Sequence, residues 1–449
     1  MGDGTEMAWD FMVQSVMYNG TKKEDFAMLE KTYPKFTLPG AEQELEQICK
    51  ERIRSLYGND PPSLVMQRLE GELAMMAGTN YTSVYMLMHR LVRHMRQKGH
   101  RWQTHDSFSG TLVSYLLGIT EENPLPAHYA CPNCKRTQWF FDVVSGYDLP
   151  DKLCPHCGEA LLGMGQNMPY ETWMGLFPGE KEPCVEMHLM GSAWEAAVHF
   201  LVQFLGQECI AIAGEWNNPV CFLLLPEGMD FADVAPITML EDGVCSIQKK
   251  TDIPAYELQH ILQKVLLLPS DDDTLPKLHH LTNTKPEDIR YNDPNVYRLF
   301  REGKTDGIPE FSSRMGKELL RQLTDARFSD LVRISGILRN GNPAEQPFYE
   351  QICDRDAIFL TLQKYGVDRE TAYAVMESVR RGKFANNDRL EKKMHAAGIP
   401  KGYIEAMKRI AYLWPRSLLV PFAKRCFCLA WFRCYYPEQV TDVDLMDMG

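Results

Sequence analysis

Two cysteine pairs limit what this chain can fold into more than any other feature. Cys131-Pro-Asn-Cys134 and Cys154-Pro-His-Cys157 are separated by nineteen residues, a C-x2-C-x19-C-x2-C arrangement. Each pair forms a tight turn, and two such turns close a tetrahedral shell around a zinc ion. Four thiolates leave no open coordination position, so the metal expected at Cys131, Cys134, Cys154 and Cys157 is structural zinc, not catalytic. His156 could replace one cysteine, but four thiolates already suffice. The bland alternative is four buried free thiols. The chain has thirteen cysteines, an odd number, which fits metal ligation in a reducing compartment better than a disulfide framework.

The remaining composition is globular: of 449 residues, 45% are hydrophobic and 24% charged, enough for a large core. At roughly 100–200 residues per domain, that length suggests about three domains. No run approaches the roughly 18–20 apolar residues of a membrane helix. The apolar stretch after Ala193 is broken by Glu195, His199, Gln203, Gln207 and Glu208. The first residues carry Asp3, Glu6 and Asp10 and no basic stretch, unlike a signal peptide. A cytoplasmic protein that meets no membrane is expected. A net charge of −12 excludes a basic coat for nucleic acid, though not a local basic surface.

Periodicity divides the chain. Residues 1–40 read as a short helix and an irregular lead-in. Leu45, Ile48, Ile53 and Leu56 recur at helical spacing, Pro61 and Pro62 interrupt, and Leu64, Leu69, Leu73 and Met76 begin a second helix. A third is expected at about 80–98. Residues 125–182 are rich in Cys, Pro and Gly and read as loop-built. An amphipathic helix near 192–206 precedes strands at 209–213, 220–225 and 265–268. From about 285 to 437 the pattern is mainly helical, with breaks near Gly307, Gly341, Gly382 and Pro415. There is no internal repeat.

The cysteine pairs sit inside longer motifs. These are Asn123-Pro-Leu-Pro-Ala-His-Tyr-Ala-Cys-Pro-Asn-Cys134 and Gly146-Tyr-Asp-Leu-Pro-Asp-Lys-Leu-Cys-Pro-His-Cys-Gly158. Met168-Pro-Tyr-Glu-Thr-Trp-Met-Gly175, Gly307-Ile-Pro-Glu-Phe311, Phe328-Ser-Asp-Leu-Val-Arg-Ile-Ser-Gly336 and Met376-Glu-Ser-Val-Arg-Arg-Gly-Lys383 follow in order. With weaker matches between, the series covers about residues 35–445 and resembles the bacterial PolC-type DNA polymerase III alpha subunit. The resemblance implies an α+β, multidomain polymerase-like core. A helical thumb-like region would occupy 1–100 and a palm 101–283. The palm would carry a polymerase-beta-type nucleotidyltransferase sheet and a zinc-knuckle insertion at 125–160. Helical fingers would occupy 284–449. Nothing matches the family's exonuclease, PHP, oligonucleotide-binding-fold or clamp-binding regions, so a bare polymerase core with no inherited clamp-binding region is expected.

The resemblance also shows where the chain departs from its pattern. Polymerase chemistry uses two magnesium ions, which demand oxygen ligands. The family supplies three aspartates, two in P-D-I-D-L-N-F and one in K-L-D-I-L-G. Here the first segment is Pro183-Cys-Val-Glu-Met-His-Leu189 and the second Lys264-Val-Leu-Leu-Leu-Pro269. Cys184, Glu186 and Leu266 therefore occupy the three aspartate positions, and one carboxylate remains. The phosphate-holding S-R-G-S-V-G-S-S loop reads Thr104-His-Asp-Ser-Phe-Ser-Gly-Thr111, with Asp106 at the first glycine. The H-P-G-G segment reads Asn218-Pro-Val-Cys221, and F-P-K-A-H-A-A-A-Y reads Trp414-Pro-Arg-Ser-Leu-Leu-Val-Pro-Phe422, with Arg416 at the lysine. Magnesium is not expected. A soft-metal site of Cys184, Glu186 and His188 on one strand face is the competing idea, set against a decayed strand edge.

Local charge keeps nucleic acid in view. No acidic residue lies between Glu72 and Asp106, where Arg90, Arg93 and Arg96 are spaced by three. Residues 371–440 hold thirteen Lys or Arg against five Asp or Glu, a local charge of +8. Arg380, Arg381, Lys383, Arg416, Lys424 and Arg425 are the candidates there for phosphate contacts. The alternative is a solvated helix face. The expectation is a PolC-like core that has lost polymerase activity. It would act as a DNA- or RNA-binding, or replication-associated, accessory protein with replication proteins as partners. The alternatives are an active DNA-directed DNA polymerase with relocated carboxylates, such as Asp271–Asp273 or Glu186, and a protein-interaction module without nucleic-acid binding.

Overall fold

Helix α1 (Ala41–Tyr57) buries Ala41, Leu45, Cys49, Ile53 and Tyr57, a stripe at four-residue spacing. Pro62 precedes α2 (Ser63–Thr79), which ends at Asn80 in the left-handed conformation, φ 57°. Helix α3 (Thr82–Gln97) follows directly. The computed structural model describes residues 35–104, 107–173, 184–190, 192–206, 209–213, 220–225, 237–239, 245–247, 263–270, 273–340 and 348–446. The lead-in helix expected before residue 35 lies outside these residues, as do His105, Asp106, Asn218, Asp271 and Asp272.

After α3 come β1 (Trp102–Thr104) and the short helix α4 (Leu112–Leu116). The cysteine-bearing region contains β2 (His128–Ala130), β3 (Thr137–Trp139) and β4 (Leu162–Met164), an antiparallel sheet in the order β3-β2-β4. Strand β5 (Cys184–Met190), α5 (Ser192–Leu205), β6 (Cys209–Ala213), β7 (Val220–Leu224), β8 (Ile237–Met239), β9 (Cys245–Ile247) and β10 (Lys264–Ser270) follow. With β1 these strands form one sheet, ordered β1-β5-β10-β7-β6-β9-β8. The rest is helical. It comprises α6 (Thr274–Thr282), α7 (Pro294–Arg301), α8 (Arg314–Arg321), α9 (Phe328–Arg339) and α10 (Arg355–Lys364). Then come α11 (Arg369–Arg380), α12 (Asp388–Ala396), α13 (Lys401–Arg409), α14 (Arg416–Tyr435) and α15 (Pro437–Met446).

Three apolar clusters organise these elements. The first joins α1–α3 to α5 and the covered face of the large sheet, from Phe36 to Leu267. The expected boundary at residue 100 therefore falls inside a shared core. The second cluster joins α6–α9 to α14, and the third joins α10, α11 and the residues up to Leu413. Motif glycines let backbones meet. A Cβ on Gly336 of α9 would lie 2.1 Å from the Cys353 carbonyl oxygen, and one on Gly146 would lie 2.0 Å from that of Met164. Polar ties cross between regions: Thr172 donates to Asp356 at 2.6 Å, and the Ser329 N–H donates to Asp148 at 3.1 Å.

One tie is pH-sensitive. His128 is fully buried. Its Nδ1 donates to the Pro126 carbonyl at 2.8 Å, and its Nε2 accepts from the Tyr57 hydroxyl at 3.1 Å. Both nitrogens are thus used by a neutral ring. Burial depresses its pKa to about 4, against the Pro126 hydrogen bond, which acts to raise it. The unfolded chain takes this proton near pH 6.5, while the folded chain resists it until about pH 4. The contribution is complete above pH 6.5 and is lost as pH falls through 4. The expected loss is about 3 kcal/mol. Urea midpoints measured at both ends of that window should show it, and His128→Asn should flatten the dependence by a similar amount.

Candidate functional site

The large sheet has one covered and one half-open face. Val185, Met187 and Leu189 of β5, with Val265 and Leu267 of β10, are buried against α5. Alternation turns Glu186, His188, Leu266 and Leu268 to the other face, where all four are half-buried. Strands β5 and β10 run parallel, with Lys264 opposite Cys184, Leu266 opposite Glu186 and Leu268 opposite His188. Cys221 of β7 stands opposite Leu266 on its other side. The three positions singled out in the sequence are therefore neighbours on adjoining strands, about 4.8 Å apart across the ladder.

What they offer chemically is narrow. Among the described strands of this sheet, Glu186 is the only acidic residue. Its carboxylate accepts a hydrogen bond from the His188 ring at 2.9 Å. A leucine has no lone pair to give a metal, so the row across β5, β10 and β7 runs from carboxylate to hydrocarbon to thiol. A pair of hard divalent cations would need several more oxygens there. Asp273, one of the carboxylates considered for relocation, is held by Lys277 at 2.7 Å on α6.

The loop between β1 and α4 has a partner that the sequence reading missed. Thr111 caps α4 by accepting from the Ser114 N–H. The free N–H groups of Leu112 and Val113 donate to the two oxygens of Glu72, at 2.8 and 2.9 Å. Glu72 is fully buried and also takes the Arg68 guanidinium. A helix N-terminus attracts anions, and here a carboxylate of the protein itself fills the place. The signal in the sequence was an acid amid the apolar residues Leu69, Leu73 and Met76.

The four cysteines come together. All four sulfurs lie within 4.8 Å of one another, with Cys131 to Cys157 at 3.4 Å and Cys134 to Cys154 at 3.6 Å. Sulfurs around a tetrahedral zinc at 2.3 Å are about 3.8 Å apart, so the set fits the ion. The two turns share one backbone pattern. Cys131 N–H donates to the Arg136 carbonyl and Lys135 N–H to that of Cys131; Cys154 and Gly158 do the same with Glu159 and Cys154. The fifth residue of each turn is left-handed, Lys135 at φ 61° and Gly158 at φ 75°. Burial pushes the Cys131 thiol up, but the backbone N–H groups of Cys134 and Asn133 outweigh it and hold it at about 6. The backbone N–H of His156 lowers that of Cys154. His156 is exposed.

The basic candidates divide into two groups. Arg380 and Arg416 are corrections to the sequence expectation, because their charge is consumed inside the fold. Arg380 is buried and donates to both oxygens of Glu377, at 2.7 and 2.9 Å. Arg416 is buried against Asp354 at 3.2 Å and donates to the carbonyls of Gln166 and Asn167. Lys424 likewise pairs with Glu121 at 3.1 Å and Glu122 at 2.7 Å. Arg381 shares Glu377 at 2.8 Å, and Arg90 pairs with Glu44 at 2.8 Å. Arg96 is exposed, lies over Trp102 and donates to the Gly118 carbonyl. Arg93 and Lys383 are exposed, while Arg425 is half-buried. The sequence pattern could not separate these groups, since the acids that neutralise Arg416, Lys424 and Arg90 are distant in the chain.

A mixed helix-rich architecture, a four-cysteine cluster and a sheet face bearing the three aligned positions define a class. Residues 43–217 match the family model for the bacterial DNA polymerase III alpha NTPase domain, and residues 272–359 match that for the alpha subunit finger domain. The chain belongs to the bacterial DNA polymerase III alpha family. Within it the chain is PolC-like. It is 30% identical over 89% of its length to the PolC-type DNA polymerase III of Pediococcus pentosaceus, covering 33% of that protein. It is 30% identical over 89% of its length to that of Listeria monocytogenes, covering 32%, and 28% identical over 99% to that of Bacillus subtilis, covering 37%. The chain spans about a third of the length of the curated relatives it matches. No helix among the described residues is long and apolar enough to cross a membrane.

Proposed function

We propose that this chain is a PolC-like polymerase core that no longer synthesises DNA. It acts in the cytoplasm as a nucleic-acid-binding, replication-associated accessory protein. The observation that carries this reading is the register of β5 and β10, which sets Leu266 beside Glu186 where the family's pattern has carboxylates. Two-metal phosphoryl transfer needs bridging oxygens between ions about 3.5–4 Å apart, and this row offers one carboxylate. The internal carboxylate on the α4 N-terminus supports the same reading, because it competes with any phosphate there. In this reading 1–100 is thumb-like, 101–283 palm-like and 284–449 fingers-like. Cys131, Cys134, Cys154 and Cys157 hold a structural zinc, and the exposed Arg93, Arg96 and Lys383 contact phosphates.

Primer extension by the purified chain, with magnesium and then manganese, tests the loss of synthesis. No templated addition is expected with either ion. Templated addition that disappears in Glu186→Gln would overturn the reading. A gel shift across a salt series tests the binding half: retardation at low salt that fades as salt rises is expected, and none at low salt would leave a protein-interaction module instead.

A further inference from the structure

A cleft of about 530 Å³ lies between α9 and α10, within the size range of small-ligand sites. No strand of the large sheet lines it. Its charges are unevenly paired. At the inner end Arg416 and Asp354 neutralise each other at 3.2 Å. Asp325 pairs with Arg327 at 3.4 Å, and Asp330 accepts the Arg327 backbone N–H at 3.0 Å. Two cations remain without a carboxylate within 4 Å among the described residues. Arg333 donates only to the carbonyls of Tyr349 and Gln351, and the exposed Lys364 makes no ion pair. Beside Arg333 the Tyr349 ring is 61% exposed, with the guanidinium 6.0 Å from its centre, and the Asp330 carboxylate interacts with both.

We propose that this cleft binds one nucleotide unit of a single-stranded nucleic acid, its phosphate on Arg333 and Lys364 and its base on Tyr349. Arg333 on α9 and Lys364 on α10 face the cleft from its two sides, and although Asp330 acts on Arg333 electrostatically, neither cation is closed off by an ion pair, which favours an anion between them. A guanidinium fork matches the oxygens of a phosphate. An exposed tyrosine next to Arg333 can stack a base of any sequence, which is how strands are held without base readout. A free nucleotide carries the same chemistry, so the test separates the two sources. The proposal deepens the nucleic-acid half of the reading above and is independent of the catalytic half: primer extension decides synthesis, and strand binding decides the cleft.

The experiment is fluorescence anisotropy of a labelled oligo-dT with the full chain, across a salt series. Tyr349→Ala and Lys364→Gln both change exposed side chains, and circular dichroism checks that each variant folds. Tyr349→Ala is expected to weaken binding at least about fivefold, the lower end for loss of one stacked base. Lys364→Gln is expected to reduce the slope of log affinity against log salt by about 0.7, one phosphate contact on a single strand. Excess dTTP is expected not to displace the strand. Wild-type affinity and slope in both folded variants would overturn the proposal, as would absence of strand binding by the wild-type chain. Displacement by that excess of dTTP would overturn it in favour of a free-nucleotide site.

Discussion

Chelating the zinc proposed for Cys131, Cys134, Cys154 and Cys157 is expected to unfold the segment from about residue 125 to 166. The apolar support of this segment is thin. Its three strands have three residues each, and Phe141, Leu153 and Leu162 are more than half exposed. A structural zinc in a small site supplies about 10–16 kcal/mol of apparent binding free energy at neutral pH, comparable with the whole stability of a domain. The damage should spread, because Tyr147 packs edge-on to Phe328 at 5.1 Å and Asp148 accepts the Ser329 N–H at the start of α9. One zinc per chain by atomic emission is expected. New protease cleavages within 125–166 should follow treatment with chelator and should also appear in Cys154→Ser. A metal-free wild-type chain with the protease pattern of the untreated protein would contradict this.

Replacing Asp354 is expected to be the most damaging single change outside that segment. Its carboxylate accepts the Ala357 N–H at 2.6 Å, capping α10, and holds Arg416. Asp354→Ala would leave the buried Arg416 guanidinium with the Gln166 and Asn167 carbonyls and only the weaker attraction of Asp356. Breaking one side of a buried pair costs about 3–5 kcal/mol, and losing the cap adds about 1. Arg416→Gln should likewise be unstable, yet its folded fraction should bind a single strand with the wild-type salt slope. Wild-type stability with a reduced salt slope would make Arg416 a phosphate contact after all. Denaturant titration beside anisotropy separates the two roles.

Much of this was legible because it is local. The spacing of Leu45, Ile48 and Ile53, the break at Pro61 and Pro62, and the apolar runs at 209–213 and 265–268 each encode an element within a few residues, and those elements are present. The cysteine cluster was legible for the same reason, since C-x-x-C fixes each turn. The pairing of charges was not. Arg416 meets Asp354 across 62 residues and Lys424 meets Glu122 across 302, so a positive window in the sequence turned out to be partly a set of buried bridges. Glu72 escaped notice because its partners are backbone N–H groups 40 and 41 residues away. The position of Leu266 was legible only through resemblance; that it faces Glu186 follows from a strand register no periodicity reports.

The proposed loss of synthesis requires that the half-open face of this sheet bind no pair of divalent ions. Electron paramagnetic resonance of manganese added to the zinc-loaded chain measures this directly. The account predicts no spin-coupled pair, and a titration indistinguishable between wild type and Glu186→Gln. Two manganese ions per chain, coupled to each other and lost in Glu186→Gln, would contradict it.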